Sequence, residues 1–219
     1  MNVISFIPYV YLITLLGMLT LTLIIAGRMR LASFVSAFRW QSIFLALFVG
    51  ALGVQSAELG LVATALLVLI VKVYLLPNLL NVMARSSGAS QRLSAYFRPA
   101  TLTFSTLVLC VAAFGVANLL SAVTTSDTLV TAVSFSMLFS GFFLLVSRKD
   151  LFGQCIGFLV MENGIFTLSL SLIGGLPLLV DVGILFDVVA GVILMIMLAY
   201  RVQKEHASLS TDFLHDIAD

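Results

Sequence analysis

"MNVISFIPYVYLITLLGMLTLTLIIAGRMR", residues 1–30, decides how this chain is read. No basic residue precedes its apolar run, which continues past residue 25. A cleaved leader has a basic start and a shorter apolar core. A membrane crossing needs about 20 mostly apolar residues. The stretch is therefore read as a first membrane helix. It stops at Arg28 and Arg30. Basic residues collect in cytoplasmic loops, so these two arginines set a test for every later segment.

Composition agrees with that start. Of the 219 residues, 61% are apolar and only 10% are charged, and the mean hydropathy is +1.19. Soluble domains run about 45–50% apolar and about 25% charged, so these charges are too few to cover a soluble surface. The class is a polytopic membrane protein. The net charge of +1 carries no sign of nucleic acid or of acidic partners. Cys110 and Cys155 both lie in apolar runs, outside any CxxC or Cys/His cluster. They read as small packing residues, not as metal ligands or a disulfide.

Seven apolar runs are long enough to cross, at roughly 4–26, 32–54, 59–82, 100–123, 128–147, 151–174 and 177–200. Arg28 and Arg30 fall between the first two, and Arg85, Arg92 and Arg98 between the third and fourth. Arg148 and Lys149 fall between the fifth and sixth, and Arg201 and Lys204 after the seventh. The other connections carry no lysine or arginine; two of them hold one acid each, Glu58 and Asp127. This alternation predicts an all-α bundle of seven transmembrane helices, N-terminus outside and C-terminus cytoplasmic.

Five charges remain inside the runs: Arg39, Lys72, Glu162, Asp181 and Asp187. A charge at a helix centre costs about 2.5–3.5 kcal/mol on the insertion scale, and such groups usually pair or carry protons or ions. At ~1.5 Å per residue, Glu162, Asp187 and Lys72 each lie ~15–16 Å deep, close to the midplane. Asp181 lies shallower, and Arg39 is within snorkelling reach of the cytoplasmic face. Gly183, Asp187 and Gly191 share one face of the seventh crossing. In the sixth, Gly153, Gly157 and nearby Gly164 form a small face, with Glu162 nearly opposite, so this helix is expected between two partners. Pro77 cannot donate a backbone hydrogen bond, and its loss is expected to free the carbonyl of Val73 beside Lys72. Gln41 and Ser42 follow Arg39 in the second crossing. They read as interhelical hydrogen-bonding groups, with a polar path towards the cytoplasm as the alternative. The fourth and fifth crossings read as packing helices. Leu209, Phe213 and Ile217 suggest a short amphipathic helix in the tail. The sequence carries no phosphate loop, nucleophile elbow, haem motif or metal-ligand spacing.

The segments "SRKDLFGQCIGFLVMENGIF" (147–166), "LVDVGILFDVVAGVILMIMLAYRV" (179–202) and "VKVYLLPNLL" (71–80) resemble component E of hydrogenase-4. Crossings five to seven are in turn similar to the small K subunit of bacterial complex I. There the match runs through Arg148–Lys149, Ile156–Gly157, Asn163, Asp187 and Gly191. Glu162 departs from that pattern, in which the glutamate falls at the position of Leu159; one helical turn keeps nearly the same face. The resemblance implies a non-catalytic subunit, without cofactor, metal or redox centre of its own, in a bacterial or archaeal plasma (inner) membrane. Its implied partners are the other membrane subunits of a group 4 hydrogenase-like complex and that complex's cytoplasmic hydrogenase arm.

The resulting organisation is a three-helix part over residues 1–98, a fourth helix over 99–126, a K-subunit-like part over 127–201 and a cytoplasmic tail over 202–219. Glu162, Asp187 and Lys72 are the expected proton or ion path, with Arg39, Asp181, Asn163 and Gln41 as secondary members. Gly153, Gly157, Gly183, Gly191 and Pro77 are expected to shape the packing. A static Lys–carboxylate lock in a scaffold subunit, or an antiporter component, are the competing readings. The antiporter lacks support from an internal repeat with paired broken helices.

Overall fold

Apolar runs of this length have one local solution in lipid, the helix, because every backbone N–H and C=O must find its partner within the segment. A computed structural model describes residues 7–86, 92–122 and 127–173, with Val189, residues 191–193, Ile196 and Tyr200. Its long elements are all helical. The helices are α1 (Ile7–Gly27), α2 (Leu31–Ser56), α3 (Leu59–Val68), α4 (Leu76–Ser86), α5 (Pro99–Ser121), α6 (Thr128–Ser147) and α7 (Leu151–Ile173). A π-helical stretch, Leu69–Leu75, joins α3 to α4. Five segments are long and apolar enough to cross a membrane: Ile7–Gly27, Leu31–Ser56, Leu59–Val82, Pro99–Ser121 and Thr128–Ser147. α7, in the place of the sixth expected crossing, has 23 residues. Asp181, Gly183, Asp187 and the tail lie outside the described residues.

The connections explain where the helices stop. α2 ends on Ala57, whose left-handed φ of 55° lets the Glu58 N–H reach the Gly53 carbonyl at 3.0 Å. α5 opens with Pro99, where a missing N–H costs no intrahelical bond. Asp127 caps α6, its Oδ1 accepting from the N–H groups of Leu129 (2.8 Å) and Val130 (3.4 Å).

Among the described helices, α6 and α7 make the most extensive contact, and glycines are the reason. A Cβ on Gly141 of α6 would sit 2.2 Å from the Met161 nitrogen, one on Gly157 2.6 Å from the Leu145 nitrogen, and one on Gly164 2.5 Å from the Leu138 nitrogen. Only hydrogen fits at these three crossings of backbone. Gly153 does not join them. A Cβ there would meet the side chains of Arg148 and Asp150, so this glycine makes room for the interhelical turn and not for a helix. Around Gly191 a Cβ would meet nothing within 4 Å.

At the end bearing the basic residues, the segment after α4 is laced across two other connections. Leu93 N–H donates to Met29 (2.7 Å), Tyr96 N–H to Ser147 (3.0 Å) and Lys149 N–H to Ser94 (3.1 Å). Arg148 completes this end from inside. The sequence marks it only as a loop cation, yet its side chain is fully buried. Its Nη2 donates to the carbonyls of Ala26 (3.0 Å) and Arg28 (2.9 Å), and its guanidinium lies 4.8 Å from the centre of the Phe34 ring. The last carbonyls of a helix have no intrahelical donors, and a guanidinium fork supplies them for α1. Burial pulls the Arg148 pKa down, and neighbouring Asp150 acts against that.

Candidate functional site: a buried charged layer between two apolar cores

The bundle has two apolar cores stacked along its length. One, at the basic end, includes Ile25, Phe34, Leu80, Leu144 and Ile156. The other includes Leu15, Leu45, Val68, Val133 and Phe166. Val71 packs against both. Its neighbour Lys72 lies in the layer between them, with Thr22, Gln41, Glu162 and Asn163, all of them buried.

Lys72 points into this layer from the π-helical stretch. There Leu76 N–H reaches back five residues to the Val71 carbonyl. The next carbonyl in that register is Lys72's own, and it faces Pro77, which has no N–H. In the π register the carbonyl facing the proline is that of Lys72, where the α register gives that of Val73. The wider winding, which the sequence does not announce, shifts the register by one residue. π-turns of this kind recur at functional sites.

The Lys72 ammonium forms an ion pair with Glu162 Oε2 and donates to Asn163 Oδ1 at 2.7 Å. The Phe166 ring lies 5.6 Å away. From there a chain of donors runs towards α1. Asn163 Nδ2 donates to Gln41 Oε1 (3.4 Å), Gln41 Nε2 to Thr22 Oγ1 (2.8 Å), and Thr22 Oγ1 to the Met18 carbonyl (2.8 Å). The chain ends on backbone and every link is filled. Amide side chains carry no titrating proton; here Asn163 accepts from Lys72 and Gln41 accepts from Asn163. At the other end of the layer, Glu162 Oε1 is buried and has no hydrogen-bond partner among the described residues.

Arg39 stands apart from this network. Its Nη2 donates to Asn78 Oδ1 of α4 at 3.2 Å. Sequence reasoning missed Thr22, Asn78, Gly141 and Phe166 as participants. Asn78 had a signal, being the polar residue directly after Pro77; Thr22 had none, since a threonine in an apolar helix usually bonds its own backbone.

A pair with one side removed is costly here. Truncating one member of a buried ion pair typically costs about 3–5 kcal/mol, because the other charge stays behind uncompensated. Glu162 and Lys72 come from opposite thirds of the chain, so their meeting ties the third crossing to α7. Gly157 and Gly164 seat the other side of α7 on α6. α7 therefore has a small face towards α6 and a charged face towards the third crossing. Cys110 and Cys155 are buried thiols.

Comparison with known proteins adds a context for this layer. The chain is similar to an uncharacterized protein of Mycobacterium tuberculosis, 28% identical over 211 residues that cover 93% of each chain. It is also similar to hydrogenase-4 component E of Escherichia coli K12, 29% identical over 146 residues, which are 66% of this chain and 68% of that protein. Hydrogenase-4 component E of Shigella flexneri matches to the same extent. No family model matches the chain, and no solved structure matches it.

Proposed function

We propose that this protein is a seven-crossing membrane subunit of a hydrogenase-4-like complex in a bacterial or archaeal plasma membrane, its basic end cytoplasmic. In this role Glu162 and Asp187 bind and release protons or sodium ions, coupled to redox chemistry in other subunits, and Lys72 controls Glu162. The similarity to hydrogenase-4 component E supports the host. The resemblance of crossings five to seven to the complex I K subunit supports Asp187.

The observation that carries the reading is the half-satisfied carboxylate. Lys72 holds Glu162 Oε2, while buried Oε1 has no partner among the described residues. Buried polar groups are almost always paired, and exceptions call for an explanation. An oxygen kept open for an arriving ion or water is one. Lys72 at Oε2 sets the charge that an ion arriving at Oε1 would meet. The filled Asn163–Gln41–Thr22 arm favours a second reading, a static lock that only ties helices together.

Both readings are tested in vesicles carrying the whole complex, with a pH- or sodium-sensitive dye as the readout. Glu162→Gln, and separately Asp187→Asn, should leave the complex assembled and abolish ion movement during turnover. Full coupling in both variants would sink the relay. Co-purification with a nickel–iron large subunit after mild detergent extraction tests the host.

A further inference from the structure

We propose that a water-filled route runs from Glu162 Oε1 to the basic end of the bundle along α2, past Ser42 and Arg39, and that the described residues form no matching route to the other end. The inference rests on the reading above only for what the route carries. Among the described residues, four buried side-chain atoms have no hydrogen-bond partner: Glu162 Oε1, Ser42 Oγ, Arg39 Nε and Arg148 Nε. Their depths are not scattered. α2 and α7 both start at the basic end, where the Leu93–Met29 and Lys149–Ser94 bonds bring their starts together. Ser42 is eleven residues into α2 and Glu162 eleven residues into α7, so both lie ~16 Å from that end. Arg39 is eight residues in, at ~12 Å, and its side chain leans towards the helix start. Arg148 is at the end itself. All four atoms lie between the charged layer and the basic end, and none of them lies beyond the layer.

Arg39 and Ser42 are three residues apart and share one face of α2. The Arg39–Asn78 bond shows that this face looks at the third crossing, the helix that also carries Lys72. A buried water needs two to four polar partners. A serine hydroxyl both donates and accepts, and Arg39 offers its Nε–H, since its Nη2 is already given to Asn78. Together with the carboxylate oxygen these groups supply the partners for a line of waters. In the opposite half, around Leu15, Leu45, Val68, Val133 and Phe166, the buried hydroxyls of Thr14, Thr64, Ser134 and Thr167 each donate to a carbonyl of their own helix. Glu162 then exchanges ions with one face of the membrane, and access to the other must come through another group.

The test uses the whole complex in right-side-out and inverted vesicles, with Cys110→Ala and Cys155→Ala as background. Ser42→Cys, a near-isosteric change, is exposed to Ag⁺, a small hydrophilic ion. Blockage is read as loss of later maleimide labelling after denaturation. Tyr96→Cys, on the exposed segment at the basic end, marks the sidedness, and Trp40→Cys, facing outward from α2, is the dry control. Ag⁺ from the basic side should abolish labelling in the Ser42→Cys variant and spare it in Trp40→Cys. Ag⁺ from the other side should spare both variants. Blockage of Ser42→Cys from both sides, or from neither while Tyr96→Cys is blocked, overturns the route. Ion movement in Glu162→Gln is scored separately. An accessible thiol in Ser42→Cys with full coupling in Glu162→Gln keeps the route and defeats the relay; an inaccessible thiol with lost coupling does the reverse.

Discussion

Replacing Lys72 and Glu162 singly and together separates a mutual pair from two independent polar groups. Lys72→Met removes the ion pair, the bond to Asn163 at 2.7 Å and the contact with Phe166. It leaves a carboxylate buried with no cation, at a cost of about 3–5 kcal/mol. Glu162→Leu leaves the ammonium buried, with a similar cost of about 3–5 kcal/mol. The double variant strands no charge. Its remaining defect is Asn163 Oδ1, which has lost its donor, worth about 1–3 kcal/mol. If the two changes were independent, the double variant would lose about 6–10 kcal/mol, the sum of the singles. The expected value is about 1–3 kcal/mol, so the coupling exceeds about 3 kcal/mol. Reversible unfolding of the detergent-solubilised protein by added SDS measures this, and Trp40, the single tryptophan, reports it by fluorescence. Losses that add to within about 0.5 kcal/mol would refute the pairing. The same variants in the assembled complex bear on function. A lock tolerates the double change better than either single one, whereas a relay loses ion movement in all three.

Other expectations follow from the packing and the caps. Gly141→Ala places a Cβ 2.2 Å from the Met161 nitrogen, which should separate α6 from α7 and cost about 3 kcal/mol or more in the same unfolding assay. Gly115→Ala, with nothing within 4 Å of its Cβ, should instead be neutral or gain up to about 1 kcal/mol. Arg148→Lys keeps the charge but cannot span the carbonyls of Ala26 and Arg28; a loss of about 2–3 kcal/mol is expected, and a wild-type melting temperature in detergent would refute the clamp. Ala57→Gly should raise stability by about 1 kcal/mol, because the φ of 55° costs a residue with a Cβ.

Much of the frame was legible along the chain. Hydropathy is local and sums over about 20 residues, so the apolar runs announced the helices before any contact was known. The first five expected runs match the five spans closely. Depth was legible for the same reason. A fixed rise per residue put Lys72 and Glu162 near one level, where the structure joins them. The small face of α7 was visible at Gly157 and Gly164, because helical periodicity assigns faces without a partner.

What the sequence by itself determined, then, is where the described helices run, that Lys72 and Glu162 share a level, and which residues share a face. Tertiary structure decided which faces meet. Rotation about each helix axis and the choice of neighbour depend on packing summed over many distant residues, and no local window contains that sum. It therefore took the folded bundle to seat Gln41 on Thr22, to turn a loop arginine inward over Phe34, and to put Gly141 rather than Gly153 into the closest backbone contact. The π-wound turn belongs here too. It lies just before Pro77 and carries Lys72 to Glu162.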